Sequence, residues 1–225
     1  MCDRTPKCQF SLQLLRCVEP ENKHLPPNVD GGCWVGAHPS IGEKVAHELL
    51  KRGRIDDDLG GGPIAKIERE VTGVGGTDMR CDFLLTHADG VKTVVEVKTV
   101  VDTDYDPKTA PERPGCVFLG AGDPYVRSAI FPWGKSAQVG PDGEKLDLGD
   151  GARLRAAVLF VVVRRDALEF RPNAEACPSF ARYLKEAKAA GVAVLARRVR
   201  WGEAEGEEEL GVAIDDGSLP VKGLD

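Results

Sequence analysis

The fold is decided by two neighbouring segments, RCDFLL at residues 80–85 and VVEVKTV at residues 94–100. Both are short, rich in β-branched and apolar residues, and bounded by turn-forming residues, which predicts two buried strands. Each segment carries charged residues where a core strand normally carries none. Because strand side chains alternate between the two faces of a sheet, Glu96 and Lys98 are expected to point the same way.

The length of the connecting loop sets the register of the two strands. A two-residue turn would place Asp82 opposite Val97, on the wrong face. A three-residue loop at residues 88–90 places Asp82 opposite Glu96 instead, and this loop type takes Gly in a left-handed conformation at its last position. Gly90 occupies that position. We therefore predict the second register, which brings the aspartate to the Glu-x-Lys pair on one face.

Two carboxylates and an ammonium group on one half-buried face are costly unless something offsets their desolvation. A hard divalent cation does so, and Mg²⁺ in particular takes carboxylate oxygens and is often completed by water and substrate phosphate. The pattern predicts metal ligation by Asp82 and Glu96, with Lys98 positioning or activating water in a phosphodiesterase. The alternative is a structural ion pair, because such networks imitate active sites.

Composition is typical of a globular protein: 42% of the 225 residues are hydrophobic, 29% are charged, and the formal net charge is −6. No apolar run approaches the roughly 20 residues that a membrane span needs. The first residues lack the apolar segment of a signal peptide. We therefore expect an intracellular protein with no membrane partner. Its acidic balance counts against extensive coating by nucleic acid, although a local basic groove remains compatible with it.

The seven cysteines are odd in number and form no Cys-x-x-Cys pair. Several lie in apolar runs, where a thiol behaves as a small hydrophobic group. This usage favours a reducing compartment, and it predicts neither a disulfide partner nor a zinc site.

Helical and strand periodicity recur along the chain. Residues 41–52 predict a helix with an apolar stripe at positions 41, 45 and 49, and Ser40 with Glu43 forms a candidate capping box. The apolar run at residues 156–163 predicts a central strand buried on both faces. A helix at residues 180–190 and a strand at 192–199 follow. This order of elements is typical of an α/β fold.

The sequence resembles the sugar fermentation stimulation protein family over roughly residues 10–200. The resembling segments are WVGAHPS at 34–40, IEREV at 67–71, RCDFLL at 80–85, VEVKTV at 95–100, Phe131-Pro132, AVLFVVV at 157–163 and AKAAGVAV at 187–194.

The resemblance implies a restriction-endonuclease-like mixed β-sheet flanked by helices, with a PD-(D/E)XK core. It also implies that residues 1–33 are the remnant of an N-terminal barrel-like (OB-like) DNA-binding domain. The nuclease-type domain would then cover residues 34–201, with an irregular loop at 102–155 and a C-terminal tail at 202–225.

For the site, the resemblance implies that Asp82, Glu96 and Lys98 match a nuclease triad that uses Mg²⁺ or Mn²⁺ on DNA. Folds of this kind often add a carboxylate from the preceding helix, here Glu48. Arg80 is a candidate phosphate ligand or a partner for an acid. The last strand offers further candidate contacts to a DNA backbone, namely Arg197, Arg198 and Arg200.

A second hypothesis is a non-catalytic DNA-binding regulator of sugar metabolism that retains the nuclease fold. A third hypothesis is a structural remnant with no nucleic-acid partner. The acidic balance favours it, and so does the loss of two segments with expected DNA-contacting surface: the family's basic helix after residues 131–132 is replaced by a Gly-rich segment, and only a remnant of the N-terminal domain is recognised.

Overall fold

A computed structural model describes residues 11–18, 32–74, 80–101, 103–104, 115–118, 154–174, 177–202 and 211–225. Within these ranges, no helix is both long enough and apolar enough to cross a bilayer. Four cysteines in the same ranges form no disulfide, namely Cys17, Cys33, Cys81 and Cys177.

The described helices are α1 (Ile41–Lys51), α2 (Asp56–Leu59) and α3 (Pro178–Ala189). The described strands are β1 (Leu14–Val18), β2 (Gly32–Gly36), β3 (Ile64–Thr72), β4 (Arg80–His87), β5 (Lys92–Val100), β6 (Thr103–Asp104), β7 (Gly115–Phe118), β8 (Leu154–Val162), β9 (Phe170–Pro172), β10 (Ala193–Trp201) and β11 (Ala213–Ser218).

Six strands form the main sheet, in the order β11-β10-β8-β5-β4-β3. Strand β8 pairs in parallel with both β5 and β10, whereas β3, β4 and β11 join antiparallel. Seven of the nine residues of β8 lie in an unbroken buried run. The prediction of a central strand buried on both faces of a mixed sheet is therefore confirmed.

Helices cover both faces of this sheet, and two hydrophobic clusters result. The α1-side core contains Ala46 and Leu50 of the helix with Phe83 and Val95 of the sheet. The α3-side core contains Phe180 and Leu184 of the helix, packed with Phe160 of β8 and with β9 and the C-terminal residues. Covering both faces lets the central strands be apolar throughout. The α/β prediction is confirmed at this level.

Helix α1 approaches the sheet through small residues. A Cβ at Gly42 would stand 2.1 Å from Oγ1 of Thr99, so only glycine permits this contact without displacement of β5. The predicted capping box is wrong: Ser40 makes no side-chain cap bond and its hydroxyl lies 2.9 Å from Nδ1 of His38. Glu43 forms an ion pair with Arg69 of β3 instead.

The predicted register of β4 and β5 is confirmed. Phe83 pairs with Val95, and the successive pairs continue to Thr86. His87 and Val91 close the hairpin through an N–H to carbonyl bond of 2.8 Å, which leaves a three-residue loop. Gly90 has a φ of 81°, the left-handed conformation that this loop requires.

One strand of the main sheet was not predicted. Strand β10 does not form the edge, because β11 pairs with it antiparallel. Outside the main sheet, β1 and β2 form a two-stranded ribbon, and β6, β7 and β9 form a small third sheet. Most of the predicted irregular loop at 102–155 lies outside the described residues. The domain boundaries, the restriction-endonuclease-like assignment and the barrel remnant stay predictions.

Candidate metal centre

Strands β4 and β5 separate where the charged residues begin. Their paired residues end at Phe83 and Val95. Beyond that pair, the side chain of Asp82 enters the gap, and its Oδ2 accepts the backbone N–H of Val97 at 2.7 Å. A side-chain oxygen thus replaces the carbonyl that a continued ladder would supply. We call this gap, with Asp82, Glu96 and Lys98, the acid fork.

A backbone irregularity on β3 adjoins the acid fork. Residues two apart on a strand should share a face, yet Phe83 packs in the α1-side core and Cys81 in the α3-side core. Strand β3 changes faces at the same level. Arg69 pairs with Glu43 of α1, whereas Val71 packs in the α3-side core. The intervening Glu70 has a φ of 54°, which is uncommon for a residue other than glycine. This switch turns Asp82 into the gap.

Glu96 and Lys98 lie on β5 beside Asp82. The Nζ of Lys98 donates to Oε1 of Glu96 at 2.8 Å, and the two side chains are only 12% and 16% exposed for Glu96 and Lys98, respectively. Their alternation with Val95 and Val97 places them on the α3 side of the sheet. The structure therefore brings the three predicted residues to one place.

Burial is the main influence on both acids of the fork. It raises the pKa of Asp82, while the Val97 N–H and the charge of Lys98 lower that pKa and Glu43 raises it. Burial likewise raises the pKa of Glu96, which Lys98 lowers and Asp82 raises. In both cases the pKa lies above its ordinary value, so the single lysine does not compensate the two carboxylates.

The neighbouring thiol responds to the same excess of negative charge. Burial raises the pKa of Cys81 to about 11, with further contributions from the charges of Glu96 and Asp82. Such a thiol stays protonated at neutral pH and is a poor nucleophile. Burial is thus the main cause of the raised pKa of Cys81, and the negative charges of the fork add to it.

Glu43 is an acid near the fork that the sequence did not single out as a ligand. It lies in the first turn of α1, pairs with Arg69, and raises the pKa of Asp82. The available signal was its position one residue after Gly42, where the helix comes close to Thr99 of β5.

Glu48, the predicted helical ligand, lies elsewhere on α1. It is five residues after Glu43, which is about 140° around a helix with 3.6 residues per turn. Its side chain is 50% exposed and accepts a hydrogen bond from Lys51 at 3.0 Å. That bond is the main cause of its lowered pKa. Nothing in this geometry brings Glu48 to the acid fork.

Arg80 stands at the start of β4 and is largely exposed. It forms an ion pair with Glu70, and its charge lowers the pKa of Asp82. Of the two roles predicted for Arg80, the pairing with an acid is the one that its contacts match.

The three arginines of β10 do not form one surface. Arg197 donates to both oxygens of Asp215 at 2.7 Å each, on the α1 side of the sheet. Arg198 points to the other face, where it lies 2.7 Å from Oδ2 of Asp216 and donates to the Ala167 carbonyl. Arg200 shares the face of Arg198 and is partly buried. Their placement two strands from β5 puts them roughly 10 Å across the sheet from the fork.

The donor set of the fork suits a hard divalent cation. Among the described residues, no donor reaches the second oxygen of either carboxylate, Oδ1 of Asp82 or Oε2 of Glu96. Carboxylate oxygens are the ligands that Mg²⁺ prefers, with water or substrate completing the shell. In the same part of the chain, no group of three or more His, Cys, Asp or Glu residues is placed to hold an ion. The fork thus offers a two-carboxylate site.

Comparison with known proteins points to one family. The family model described as the sugar fermentation stimulation protein RE domain matches residues 148–205. Sugar fermentation stimulation protein homologs are similar over most of this chain. That of Magnetococcus marinus is 31% identical over 74% of this chain, and that of Symbiobacterium thermophilum is 30% identical over 85%. The matches cover 60% and 65% of those relatives, so the chain spans about three fifths of their length.

A solved structure has the same fold. It is the structure of Pyrococcus furiosus SfsA in complex with Ca²⁺, with a TM-score of 0.61 and 22% sequence identity. The similarity covers 84% of this chain and 67% of that one. Together, the family-model match and the curated relatives make this chain similar to the sugar fermentation stimulation protein family.

Proposed function

We propose that the acid fork binds Mg²⁺ or Mn²⁺ and that the chain hydrolyses phosphodiester bonds of DNA in a restriction-endonuclease-like, PD-(D/E)XK core. The observation that carries this proposal is the charge imbalance of the fork. Two carboxylates are desolvated side by side, and burial raises the pKa of both. A structural ion pair would leave no such excess, whereas a bound cation would remove it.

Each residue of the fork has a distinct role in this proposal. Asp82 and Glu96 would hold the ion, while the Val97 N–H and Lys98 each keep one oxygen of these carboxylates in place. When bound, the cation supplies charge stabilisation at the phosphoryl group and lowers the pKa of a coordinated water. Lys98 would orient the attacking water through Nζ and balance the negative charge that develops on the phosphoryl oxygens.

Two further observations are compatible with the proposal. Glu43 adds negative potential from the helix, which strengthens attraction of a cation to the fork. The similar Pyrococcus furiosus SfsA was solved in complex with Ca²⁺. Like Mg²⁺, Ca²⁺ is a hard cation with oxygen ligands. DNA is the substrate that the family resemblance implies.

The test is nicking of supercoiled plasmid with Mg²⁺ or Mn²⁺. The wild-type protein should nick the plasmid, and chelator should abolish the activity. Asp82→Asn and Lys98→Ala should each lower the rate at least about 100-fold, because they remove a ligand and a positioned polar group. The two variants should differ in Mn²⁺ binding, which Asp82→Asn loses and Lys98→Ala retains.

Glu68→Gln is the matched control, because Glu68 is a partly exposed acid on β3 that pairs with Lys66 at 2.9 Å. It should leave nicking unchanged. Wild-type activity in Asp82→Asn, or activity that persists in chelator, would contradict the proposed nuclease function.

Binding of DNA without hydrolysis is the second candidate. It is favoured by the small number of acids, since Glu43 is already paired with Arg69 and only two carboxylates converge among the residues that the structure describes. A binding protein should show salt-dependent DNA affinity that survives both chelator and Lys98→Ala, with no nicking under any condition. Loss of DNA affinity in chelator would count against this candidate.

A further inference from the structure

A groove of about 430 Å³ lies between α1 and the β10–β11 edge of the sheet. We call it the α1 groove. Its floor is built by Ile41 and Leu49 of the helix with Val199 and Trp201 of β10. The indole N–H of Trp201 donates to the Val163 carbonyl at 3.0 Å, so the ring offers an apolar wall with its polar atom already satisfied. The volume falls within the roughly 300–1,000 Å³ typical of small-molecule sites.

The apolar stripe of α1 is oriented towards this groove. Positions 41, 45 and 49, which the helical periodicity singles out as a core-facing stripe, all line it. Gly42 closely approaches Thr99 of β5 and Ala46 is fully buried, so small residues of α1 also face the sheet. The apolar floor of the groove consists of side chains that are themselves largely buried, since Ile41 is 8% exposed, Leu49 5% and Trp201 4%.

The rim of the α1 groove carries an excess of positive charge. Lys44, Arg52 and Arg54 line it, together with the acids Glu48 and Asp215. Both acids already have closer partners. Glu48 accepts a bond from Lys51 at 3.0 Å, and Asp215 accepts two from Arg197 at 2.7 Å.

The rim cations are correspondingly weakly held. Arg54 is 3.9 Å from Asp215 and its side chain is 61% exposed, while Arg52 is 3.6 Å from Glu48 and 70% exposed. Lys44 forms no ion pair with any residue that the structure describes. An anion at the rim would therefore gain attraction without displacing a strong ion pair.

We propose that the α1 groove binds a small organic acid, with its apolar body against Trp201 and Leu49 and its carboxylate or phosphate at Lys44, Arg52 and Arg54. This site is independent of the proposed nuclease function. It lies on the Glu48 side of α1, about 140° around the helix from Glu43, which faces the acid fork.

The test is a titration of the full chain with octanoate in the presence of chelator. Binding is detected by amide NMR. Octanoate should cause saturable shifts in α1, β10 and β11. Octylammonium, with the same apolar body and opposite charge, and acetate, with the charge but no apolar body, should bind at least about tenfold more weakly. The double variant Lys44→Gln with Arg54→Gln should weaken octanoate binding about tenfold or more.

Arg182→Gln is the control, because Arg182 is an exposed cation on α3, on the other face of the sheet. It should leave octanoate affinity unchanged. Both rim substitutions are at exposed positions, so folding should be preserved, and the NMR spectrum verifies this directly. Equal binding of octanoate and octylammonium, shifts outside α1, β10 and β11, or unchanged affinity in the double variant would each overturn the proposal.

Discussion

Two groups of buried charge in the same sheet are built in opposite ways. Directly after β8, Arg164 donates to both oxygens of Asp166 at 2.6 and 2.7 Å, and the two side chains are 5% and 0% exposed for arginine and aspartate. Arg164 also donates to the Val101 carbonyl. This is a bidentate pair in which each charge has an opposite partner.

The acid fork has the contrary balance. Lys98 reaches Glu96 through a single bond, Asp82 is held by a backbone N–H, and Glu43 adds a third negative charge nearby. Loss of a charge should therefore destabilise the paired group and stabilise the fork. The difference teaches that burial alone does not mark a functional site. What marks it is a buried charge that the fold leaves uncompensated.

The largest expected effect is on the paired group. Asp166→Asn should lower the free energy of unfolding by about 3–5 kcal/mol, because it leaves the buried Arg164 without its counter-charge. Urea denaturation at neutral pH measures this change. Glu186→Gln, which breaks an exposed pair on α3, should cost less than about 1 kcal/mol. Equal effects of the two substitutions would show that the Arg164–Asp166 pair is not special.

The second-largest effect should be the stabilisation of the folded protein by a bound divalent cation. Mg²⁺ or Mn²⁺ at 100 times its dissociation constant should stabilise the folded protein by about 2.7 kcal/mol. Asp82→Asn and Glu96→Gln should remove this stabilisation, whereas Glu48→Gln should retain it. Thermal unfolding with and without the cation gives the answer. If the cation no longer stabilised the Glu48→Gln protein, Glu48 would be a metal ligand after all.

In chelator, neutralising the fork should stabilise the protein. Asp82→Asn keeps an oxygen that can accept the Val97 N–H while it removes a desolvated charge. The gain should be on the order of 1 kcal/mol at pH 8, or roughly 2–4 °C in melting temperature. A melting temperature at or below that of the wild type at this pH would mean that the fork is compensated after all.

The sign of the pH dependence follows from the raised pKa values of Asp82 and Glu96. A carboxyl group whose pKa is higher in the folded state stabilises folding only at low pH, and this contribution is lost as pH rises through the folded-state pKa. The advantage of Asp82→Asn over the wild type should therefore shrink as pH is lowered and the wild-type group becomes protonated. If the extra stability of Asp82→Asn over the wild type grew on acidification, the proposed charge balance would be wrong.

The smallest expected effect concerns the backbone beside the fork. Glu70 has a φ of 54°, a conformation that Asn adopts far more readily than a β-branched residue. Glu70→Asn and Glu70→Val both remove the pair with Arg80, so their difference isolates the backbone. The Val variant should be less stable by about 1 kcal/mol and should bind Mn²⁺ more weakly. Equal stability and equal Mn²⁺ affinity of the two variants would show that the left-handed conformation of residue 70 does not determine the position of Asp82.

The hairpin at the centre of the fold could be predicted from the sequence because its loop is short and its chemistry is specific. Gly90 determines a three-residue loop, and the loop determines which residues of β4 and β5 face each other. The face switch at Glu70 and Asp82 could not be predicted, since it breaks the alternation on which strand prediction depends.

Helix α1 shows why Glu43 was missed. Periodicity identifies large apolar residues, whereas Gly42 closely approaches Thr99 of β5 and Ala46 is fully buried. A small residue allows a close approach because it lacks bulk, and this gives no signal in a hydrophobic pattern. The contact face therefore includes small residues, which directs Glu43 and not Glu48 towards Asp82.

Strand β11 was missed for a different reason. Its sequence, AIDDGS, carries two acids and a glycine, which are depleted in strands. Tertiary context overrides this preference, since Asp215 and Asp216 are paired with Arg197 and Arg198 of β10. The arginines that suggested DNA contact thus help to hold the edge strand.

The central claim is that the fold holds Asp82 and Glu96 as uncompensated acids that a divalent cation fits. The most direct measurement is an NMR pH titration of their carboxyl carbons, first in chelator and then with saturating Mg²⁺. We predict that both pKa values lie above those of ordinary Asp and Glu side chains in chelator and fall when Mg²⁺ is added. Ordinary or lowered pKa values in chelator that Mg²⁺ leaves unchanged would contradict the claim.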